Sequence, residues 1–487
     1  MKSRAIACIA ALVLTGPLLA QEPVDANMIA RIRAEGLDRS QIAATFDMLT
    51  NIIGQRLTGS PAHKRAADWT RDQMVGWGLD NAHLESWEFG RGWTLEKLTL
   101  EMVTPRYFPL IGYPEAWTPP TKGVIEATPL YIGDMSLDQV RALGSRVRGA
   151  IVLISPPQTN FITEDRPQPA DAAGSVRIGA PPNVGVQGAI PTRQLMPVLQ
   201  ELGAAVALRP NQGEHGTIFV LGNRATGNDA VPAIVLASEH YNMLVSLSKS
   251  ASPPGLRIEV GATYHEQDSN SYNVIAEIPG SDPALRDEVV LIGAHLDSWH
   301  SATGATDNAD GVAGMMEAMR ILKAVGARPR RTIRVALWSG EEEGLLGSRA
   351  YVDQHLAGDA NAAARDRLYV YFNDDPGTGP IYGFYLEQNA AAKPIFDAWL
   401  APLRDLGAKK NVIEGIGSTD HLSFTRAGMP GFNTIKDYQD YDVRTHHTNT
   451  DFPERIREQD LRQSAIVLAV FAYQAAMREG KLPKPVS

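Results

Sequence analysis

The sequence predicts an α/β fold in which a central, largely parallel sheet lies between helices and a separate β-rich module is inserted. Two observations support this prediction. From Ser271 onward, short runs of β-branched residues alternate with segments whose apolar residues recur at helical spacing. From about Pro119 to Gly261, short β-type runs alternate with loops instead. The length of 487 residues also favours a main domain with an inserted unit.

The chain opens with a short basic segment and an apolar run, a combination typical of a cleaved export signal. Lys2 and Arg4 lie at the start, and the apolar run extends from Ala5 to Ala20. We predict that residues 1–20 are a signal peptide and that the mature protein is periplasmic or secreted. No later apolar run reaches the roughly 18 residues that a membrane span requires, so we expect no span.

Composition and charge narrow the class of protein further. The single cysteine, Cys8, lies inside the predicted leader, which excludes disulfides and thiolate metal ligands from the mature chain. The chain has 46 basic and 55 acidic residues, and its formal net charge is −9. No basic stripe is present, which argues against a nucleic-acid partner. An exported, thiol-free, acidic enzyme is the resulting prediction.

The amino-terminal part is predicted to be mainly helical, and the inserted module to be β-rich. In the first part, Ile42, Phe46 and Leu49 fall on one helical face. We assign residues 21–117 and 266–487 to the main domain and residues 118–265 to the insert. The β-type runs of the insert are Gly123–Tyr131, Gly149–Ser155, Ala204–Leu208, Thr217–Leu221 and Ala233–Ala237. The Pro- and Gly-rich segment Pro156–Pro197 is long enough to form a lid.

The second part of the main domain alternates strands with an amphipathic helix. The predicted strands are Asn273–Ile278, Glu288–Gly293, Thr332–Trp338 and Leu368–Phe372. Apolar residues recur at helical spacing from Val312 to Leu322, and Asp310 is the expected N-cap. Ligands of such sheets bind beyond the carboxyl ends of the strands, so side chains there are candidates for function.

Acids and histidines follow these strands one after another. The candidates are His295, Asp297, Asp307, Glu341-Glu342-Glu343, Asp374-Asp375, His446-His447 and Asp451. Two histidines and at least three carboxylates at strand ends are what two adjacent zinc ions need. Each motif alone is weak, because a histidine at a strand end or an acidic helix start is usually structural. Their joint occurrence in order predicts a two-zinc site.

The residue types also indicate separate roles within this site. Asp297 can accept the second imidazole N–H of His295 and so fix its tautomer. Asp307 follows His295 after a loop and is expected to bridge both metals. Of the three consecutive glutamates, we expect one to bind metal and one to act as general base, with Glu343 turned to solvent. One of the two aspartates after the fourth predicted strand is expected to bind the second metal.

Four motifs in this order resemble those of the co-catalytic two-zinc exopeptidases. They are His295-Leu296-Asp297-Ser298-Trp299, Gly304-Ala305-Thr306-Asp307-Asn308, Glu341-Glu342-Glu343-Gly344-Leu345-Leu346-Gly347-Ser348 and His447-Thr448-Asn449-Thr450-Asp451. That family includes zinc aminopeptidases and glutamate carboxypeptidase II, and the chain most resembles its plasma glutamate carboxypeptidase branch. The resemblance implies a three-layer α/β/α zinc-peptidase sandwich. It also implies that residues 118–265 form a protease-associated insert.

The resemblance also assigns roles to individual residues. It implies two zinc ions per chain, with Glu341 as general base and Asp297 as a catalytic partner of His295. The implied ligands are His295 and Glu342 for one zinc, Asp375 and His447 for the other, and Asp307 as the bridge. The peptide bond after Asp307 is often cis in the family. His446 stands where many relatives have a tyrosine that contributes to the oxyanion site.

The resemblance implies a zinc-dependent exopeptidase that hydrolyses peptides or dipeptides near a free terminus by a zinc-bridged hydroxide. Aminopeptidase activity and carboxypeptidase or dipeptidase activity both remain open. Asp420-His421 is a candidate for contacting a substrate amine, and Arg444 for contacting a carboxylate. Two rivals are a non-catalytic binding module of the same fold and a single-zinc, glutaminyl cyclase-like acyltransferase. A homodimer is also compatible with the resemblance.

Overall fold

The computed structural model describes residues 22–167 and 184–483. The predicted leader, with Cys8, and the middle of the segment Pro156–Pro197 lie outside the described residues. Within the described ranges, no helix combines the length and the apolar character that crossing a membrane requires.

Strands and helices are labelled here in chain order. The strands are β1 (Asp80–Glu88), β2 (Gly92–Thr104), β3 (Phe108–Pro109), β4 (Gly112–Pro114), β5 (Ile125–Ala127), β6 (Leu130–Tyr131), β7 (Ile151–Leu153), β8 (Val206–Pro210), β9 (Ala233–Leu236), β10 (Gly255–His265), β11 (Asn270–Ile278), β12 (Val289–His295), β13 (Thr332–Trp338), β14 (Leu368–Asn373), β15 (Gly383–Tyr385) and β16 (Gly431–Ile435). The α-helices are α1 (Ala26–Asp38), α2 (Ile42–Asp47), α3 (Pro61–Gly76), α4 (Leu137–Ala142), α5 (Thr192–Leu202), α6 (Ser238–Ser248), α7 (Asp310–Ala324), α8 (Leu346–His355), α9 (Ala362–Arg367), α10 (Lys393–Leu400), α11 (His421–Arg426) and α12 (Glu458–Met477).

The main sheet has the strand order β1-β11-β13-β12-β14-β16-β15. Four consecutive strands of this sheet, β13, β12, β14 and β16, pair in parallel. The pairs β1–β11, β11–β13 and β16–β15 are antiparallel, so the sheet is parallel at its centre and mixed overall. The link 279–288 contains no crossover helix, and the chain therefore reverses direction between β11 and β12.

Helices cover both faces of this sheet. Side chains alternate between the two faces along each strand, so both faces carry apolar side chains that the helices bury. Val290 and Ile292 of β12 pack in a core with α1, α7 and α12. Leu291 of the same strand packs on the opposite face with Tyr351 of α8 and Phe424 of α11. The strands predicted from β-branched enrichment agree with β11 to β14, and the α/β class is confirmed.

Two smaller sheets form the second module. One apolar core contains residues of both sheets, and a second core packs the other face of the five-stranded sheet against α4 and α5. One has the order β3-β2-β10-β5 and is antiparallel, and the other has the order β4-β9-β8-β7-β6. Strands β2 and β4 precede the predicted start of the insert at residue 118. The predicted strand Thr217–Leu221 was wrong. This segment is a loop that makes a single bridge, from Phe219 to Thr448 of the main domain.

Helix α7 begins at Asp310, as the apolar periodicity predicts, but the predicted N-cap was wrong. Ala309 occupies the N-cap position, and no side chain caps the helix there. The Asp310 carboxylate is buried and forms an ion pair with Lys436 at 2.8 Å. The buried Lys436 ammonium competes with the free backbone N–H groups of the helix for the Asp310 carboxylate. The spacing of residues in the sequence does not reveal that Lys436 lies there.

Candidate metal centre

The candidate residues converge because they follow adjacent parallel strands. His295 ends β12, the three glutamates follow β13, and Asp375 follows β14. These strands are neighbours in the order β13-β12-β14, so their carboxyl ends meet at one edge of the sheet. Asp307 lies in the turn before α7, and His447 lies in the loop between β16 and α12.

Two groups of donor atoms share the Asp307 carboxylate. In the first group, His295 Nε2 lies 3.1 Å from Asp307 Oδ1 and 3.9 Å from Asp375 Oδ1. In the second group, His447 Nε2 lies 3.3 Å from Asp307 Oδ2 and 2.8 Å from Glu342 Oε2. Each group therefore has one imidazole and one carboxylate of its own, with Asp307 between them.

This grouping corrects the pairing implied by the resemblance. Asp375, and not Glu342, lies with His295, and Glu342 lies with His447. The exchange follows from the position of Asp307 between the two imidazoles and from the folding of the His447 loop over the end of β13. Neither feature can be read from the order of residues along the chain.

The electrostatics of the two groups fit bound cations. His295 Nε2, Asp307 Oδ2 and Glu342 Oε1 are buried without a hydrogen-bond partner. Burial, together with the nearby Asp307, raises the pKa of Glu342 to about 7 and that of Asp375 to about 6. Carboxylates held this close repel one another, and a divalent cation removes that repulsion. Two imidazoles and three carboxylates also match the donor types that zinc prefers.

The backbone that carries Asp307 is held in place by Asp451. The Asp451 carboxylate is buried and accepts the N–H groups of Thr306 and Asp307 at 2.8 and 3.2 Å. The peptide bond between Asp307 and Asn308 is cis, as the resemblance implied. The Asn308 side chain donates to the Asp374 carbonyl at 2.8 Å. These bonds connect the shared carboxylate to the end of β14.

Asp297 orients the site by a different route from the one expected. The Nδ1 atom of His295 contacts the backbone carbonyl of Asp297 at 3.1 Å, whereas the nearer carboxylate oxygen lies 3.6 Å away. Since a carbonyl only accepts, Nδ1 carries the proton and Nε2 keeps its lone pair for a metal. The Asp297 carboxylate instead accepts the N–H groups of Glu341 and Glu342 at 3.3 and 3.2 Å and the Thr58 hydroxyl at 3.0 Å.

Of the two remaining glutamates, Glu341 faces the cavity and Glu343 does not. Glu341 is buried, and burial together with Asp375 raises its pKa well above the usual range. The expectation that Glu343 points to solvent was wrong, because both of its carboxylate oxygens are shielded from water. The turn at Gly344, with φ of 111°, folds the chain back so that Glu343 points inward behind Asp297.

Asp374 and His446 lie next to ligand candidates. Asp374 has other contacts, whereas a ring nitrogen of His446 lies within 4.8 Å of donor atoms of Asp307 and His447. Asp374 points away from the cavity, where its carboxylate accepts the Thr434 hydroxyl at 2.6 Å and lies 3.2 Å from the Lys436 ammonium. The His446 ring stacks on Tyr441 with a centroid separation of 4.9 Å. Burial and the adjacent His447 lower the pKa of His446 well below its usual value.

A cavity of about 980 Å³ opens over both groups of donors. Its walls include the candidate general base, the ligand candidates other than His295, the imidazole of His446, and side chains from the second module such as Ile162, Arg166 and Phe219. The three residues proposed for substrate termini lie outside this lining. Asp420 and His421 are fully buried behind the wall, and Arg444 pairs with Asp440 at 3.2 Å.

The sequence patterns missed the residues by which the second module contacts the site. The Arg166 guanidinium donates from Nε and Nη2 to the Asp442 carboxylate at 2.8 and 2.6 Å. The Asp165 carboxylate accepts the N–H groups of Asp440 and Val443 at 2.7 and 3.0 Å. A lone Asp-Arg pair in a long loop carries no periodic signal, so only the folded structure reveals these contacts.

The segment around Phe219 is a further contact between the second module and the histidine loop. The Val220 N–H donates to the carbonyl of His447 at 3.2 Å, and the Asn449 N–H donates to the carbonyl of Ile218 at 3.2 Å. His447 itself has a positive φ of 59°, which few non-glycine residues adopt. Hydrogen bonds on both sides of this residue therefore hold an uncommon backbone conformation at a candidate ligand.

The two histidine–carboxylate groups share one carboxylate and lie at the carboxyl ends of parallel strands, beneath a deep cavity. This arrangement defines a metal-dependent hydrolase. Comparison with known proteins makes this class specific. Residues 273–472 match the model of "Peptidase family M28", in agreement with the peptidase class that the motifs predicted. The protein is therefore a metallopeptidase.

Similar proteins extend over most of the chain. Carboxypeptidase Q of Bos taurus is 25% identical over 461 residues, which cover 94% of this chain and 90% of that protein. The crystal structure of a peptidase M28 precursor from Shewanella amazonensis SB2B has a TM-score of 0.69 at 25% identity and covers 95% of this chain and 99% of its own. The zinc aminopeptidase BSAP from Bacillus subtilis, at 20% identity and a TM-score of 0.60 over 90% of this chain and 95% of its own, shares the fold.

Proposed function

We propose that this protein is a zinc-dependent exopeptidase that holds two zinc ions per chain. The observation that carries the proposal is the shared Asp307 carboxylate, which lies 3.1 Å from His295 Nε2 and 3.3 Å from His447 Nε2. His295 and Asp375 would hold one ion, His447 and Glu342 the other, and Asp307 both. The similarity of the fold to the zinc aminopeptidase BSAP, together with the imidazole and carboxylate donors, supports this choice of metal.

When bound, paired zinc ions acidify water and polarise a carbonyl oxygen. Beside them, Glu341 is the general base: it takes a proton from water and hands it to the leaving amine. Its position supports this role, because it is buried, lines the cavity and has no part in the two donor groups. Asp297 holds the backbone N–H groups of Glu341 and Glu342 and so fixes the base relative to the ligand.

His446 is the residue we propose to stabilise the oxyanion that forms as water attacks. It lines the cavity beside His447, and the ring centroids of the two histidines are 3.9 Å apart. Tyr441 stacks on the other side of His446 and restricts its rotation. A donor held in this way can stabilise developing charge without reorganising during the reaction.

The substrate class we propose is a peptide or dipeptide with a free terminus. Carboxypeptidase Q, by its name, acts at the carboxyl end, and its similarity extends over nearly the whole chain. BSAP, a zinc aminopeptidase, favours the alternative of an aminopeptidase. A non-catalytic binding module is disfavoured, because the donors of both groups and Glu341 are all present. A single-zinc acyltransferase is disfavoured by the second donor group.

Three further features belong to this proposal. The second module corresponds to a protease-associated insert, and its contacts with the His447 loop support a role in shaping the cavity.

The protein is exported by its predicted leader. A homodimer is the assembly to test by light scattering.

Metal content and peptide cleavage test the proposal together. Plasma mass spectrometry on the purified protein should show about two zinc ions per chain. Free, N-blocked and C-amidated dipeptides should then be compared as substrates. A substrate whose blocked end abolishes cleavage identifies the terminus that the site recognises. One zinc or none, with no cleavage of any peptide, would refute the proposed function.

A further inference from the structure

We propose that Arg349 and Arg426 form a subsite that binds a carboxylate of the peptide substrate. The inference rests on the proposed exopeptidase function and goes beyond it by naming the group on the substrate. It depends on three features of the structure: the two arginines line the catalytic cavity, they have no carboxylate partner among the described residues, and the acids of the cavity are already engaged.

The two arginines lie on neighbouring helices at one side of the cavity. Helices α8 and α11 pack together, and the Oγ atoms of Ser348 and Ser423 are 2.8 Å apart. Arg349 directly follows Ser348, and Arg426 lies one helical turn after Ser423. Both arginines line the cavity that also contains Glu341. The packing of the two helices therefore brings both side chains to the same wall.

Both guanidinium groups remain available for a ligand. The side chains are exposed, and no ion pair of either one with a carboxylate occurs within residues 22–167 and 184–483. Arg349 Nη2 donates to the carbonyl of Gly344 at 2.9 Å, which anchors the group next to the acidic turn and leaves other N–H donors free. A guanidinium has five donors in a planar fork that matches a carboxylate.

The charges of the cavity favour a carboxylate over an ammonium group. The acids that line it are Asp307, Glu341, Glu342, Asp375 and Asp442. Asp307, Glu342 and Asp375 are proposed ligands, Glu341 is the proposed base, and Asp442 is neutralised by Arg166. Among the described residues, no acid of the lining is left to receive a substrate ammonium, whereas two arginines are left to receive an anion. Leu345 and Ile416 supply apolar surface on the same lining.

The carboxylate has two sources in a peptide: the free carboxyl terminus and an acidic side chain. Substrates can separate these sources. One pair of dipeptides has a neutral carboxy-terminal residue and differs only in a free or amidated terminus. A second pair is amidated throughout and differs only in a glutamate or glutamine side chain.

The experiment compares kcat/KM for both pairs in the wild type, Arg349→Gln, Arg426→Gln and the double variant. Arg404→Gln is the matched control, because Arg404 is an exposed arginine outside the cavity lining. In the wild type, we expect kcat/KM for the carboxylate-bearing member of one pair to exceed that of its partner at least about tenfold. A charge-assisted hydrogen bond between arginine and carboxylate supplies a difference of this size. In the double variant, this ratio should fall towards one. Arg404→Gln should keep the wild-type ratio, and zinc content should be equal in all variants.

A wild-type ratio that persists in the double variant, with zinc bound, would overturn the inference and leave the proposed function intact. Failure of the wild type to cleave any peptide would refute the proposed function instead. Calorimetric binding of a reduced-amide dipeptide, in its free-carboxylate and amidated forms, then tests the arginines without catalysis. Equal binding of the free-carboxylate form by the wild type and the double variant would overturn the inference in that case also.

Discussion

Arg166 of the second module and Asp442 of the main domain form a buried ion pair beside the candidate metal centre. The two side chains are 6% and 1% exposed, and the guanidinium donates two hydrogen bonds to the carboxylate. Asp442 lies four residues before His446 and five before His447. The pair therefore connects the second module to the loop that carries one proposed metal ligand.

Replacing Arg166 by methionine should destabilise the protein and loosen this loop. Removing one partner leaves the Asp442 carboxylate buried without a counter-charge, a change that typically costs about 3 to 5 kcal/mol. We expect a lower free energy of unfolding and weaker zinc binding at the His447 group, measured by urea unfolding and by metal titration. Arg166→Lys should recover part of both.

The matched control for that variant is Arg257→Met. Arg257 pairs with Glu126 and Glu101 in the second module, but its side chain is 42% exposed. Such surface pairs contribute about 0 to 1 kcal/mol. Equal losses of stability and metal affinity in Arg166→Met and Arg257→Met would show that the buried pair has no special role.

Glu341 and Glu342 should separate catalysis from metal binding. Glu341→Gln should keep both zinc ions and lose about 10² to 10⁴ in kcat, because it removes only the proton acceptor. Glu342→Gln should lower the zinc content, since it removes the carboxylate beside His447. Zinc analysis and kcat on the same preparations check both outcomes. Loss of zinc in Glu341→Gln alone would reverse the two assignments.

Lys436 is expected to be essential for stability although it lies outside the cavity lining. Its ammonium lies 2.8 Å from Asp310 and 3.2 Å from Asp374, and all three side chains are buried. Lys436→Met leaves two carboxylates without a cation, and we expect a loss of about 3 to 5 kcal/mol in urea unfolding. Lys64→Met is the control, because Lys64 and Asp68 are about 40% exposed and their pair should contribute under about 1 kcal/mol.

His300 should make the protein less stable as the pH falls. Its ring is buried and donates from Nε2 to the carbonyl of Pro114 at 2.8 Å, and burial lowers its pKa to about 4. The unfolded chain, with an ordinary histidine pKa of about 6.5, binds more protons between pH 6.5 and 4, so stability is lost over this interval. His300→Gln should lose about 2 kcal/mol less than the wild type between pH 7 and 5 in urea unfolding.

His265→Gln is the control for the pH experiment, because His265 is only partly buried and lies in β10 of the second module. The difference between variants removes the contributions of all other titrating groups, which the variants share. An identical loss of stability between pH 7 and 5 in His300→Gln and the wild type would contradict the assignment of this proton to His300.

Sequence by itself determined the α/β class, the strands β11 to β14, and the set of acids and histidines at the strand ends. The strands and the helix could be predicted because β-branched runs and helical spacing depend on neighbouring residues. The side chains that directly follow parallel strands in the sequence lie together at one edge of the sheet. The peptidase class was likewise predicted from motifs, and the match of residues 273–472 to the model of "Peptidase family M28" confirms it.

Tertiary structure alone decided how these side chains pair. Glu342 lies with His447 and Asp375 with His295, because the histidine loop folds over the end of β13 and is held there by Arg166 and by the bridge at Phe219. Asp310 leaves its predicted capping role because Lys436, distant in sequence, is buried beside it. Such contacts depend on which surfaces the folded chain buries together, and no periodicity along the sequence encodes them.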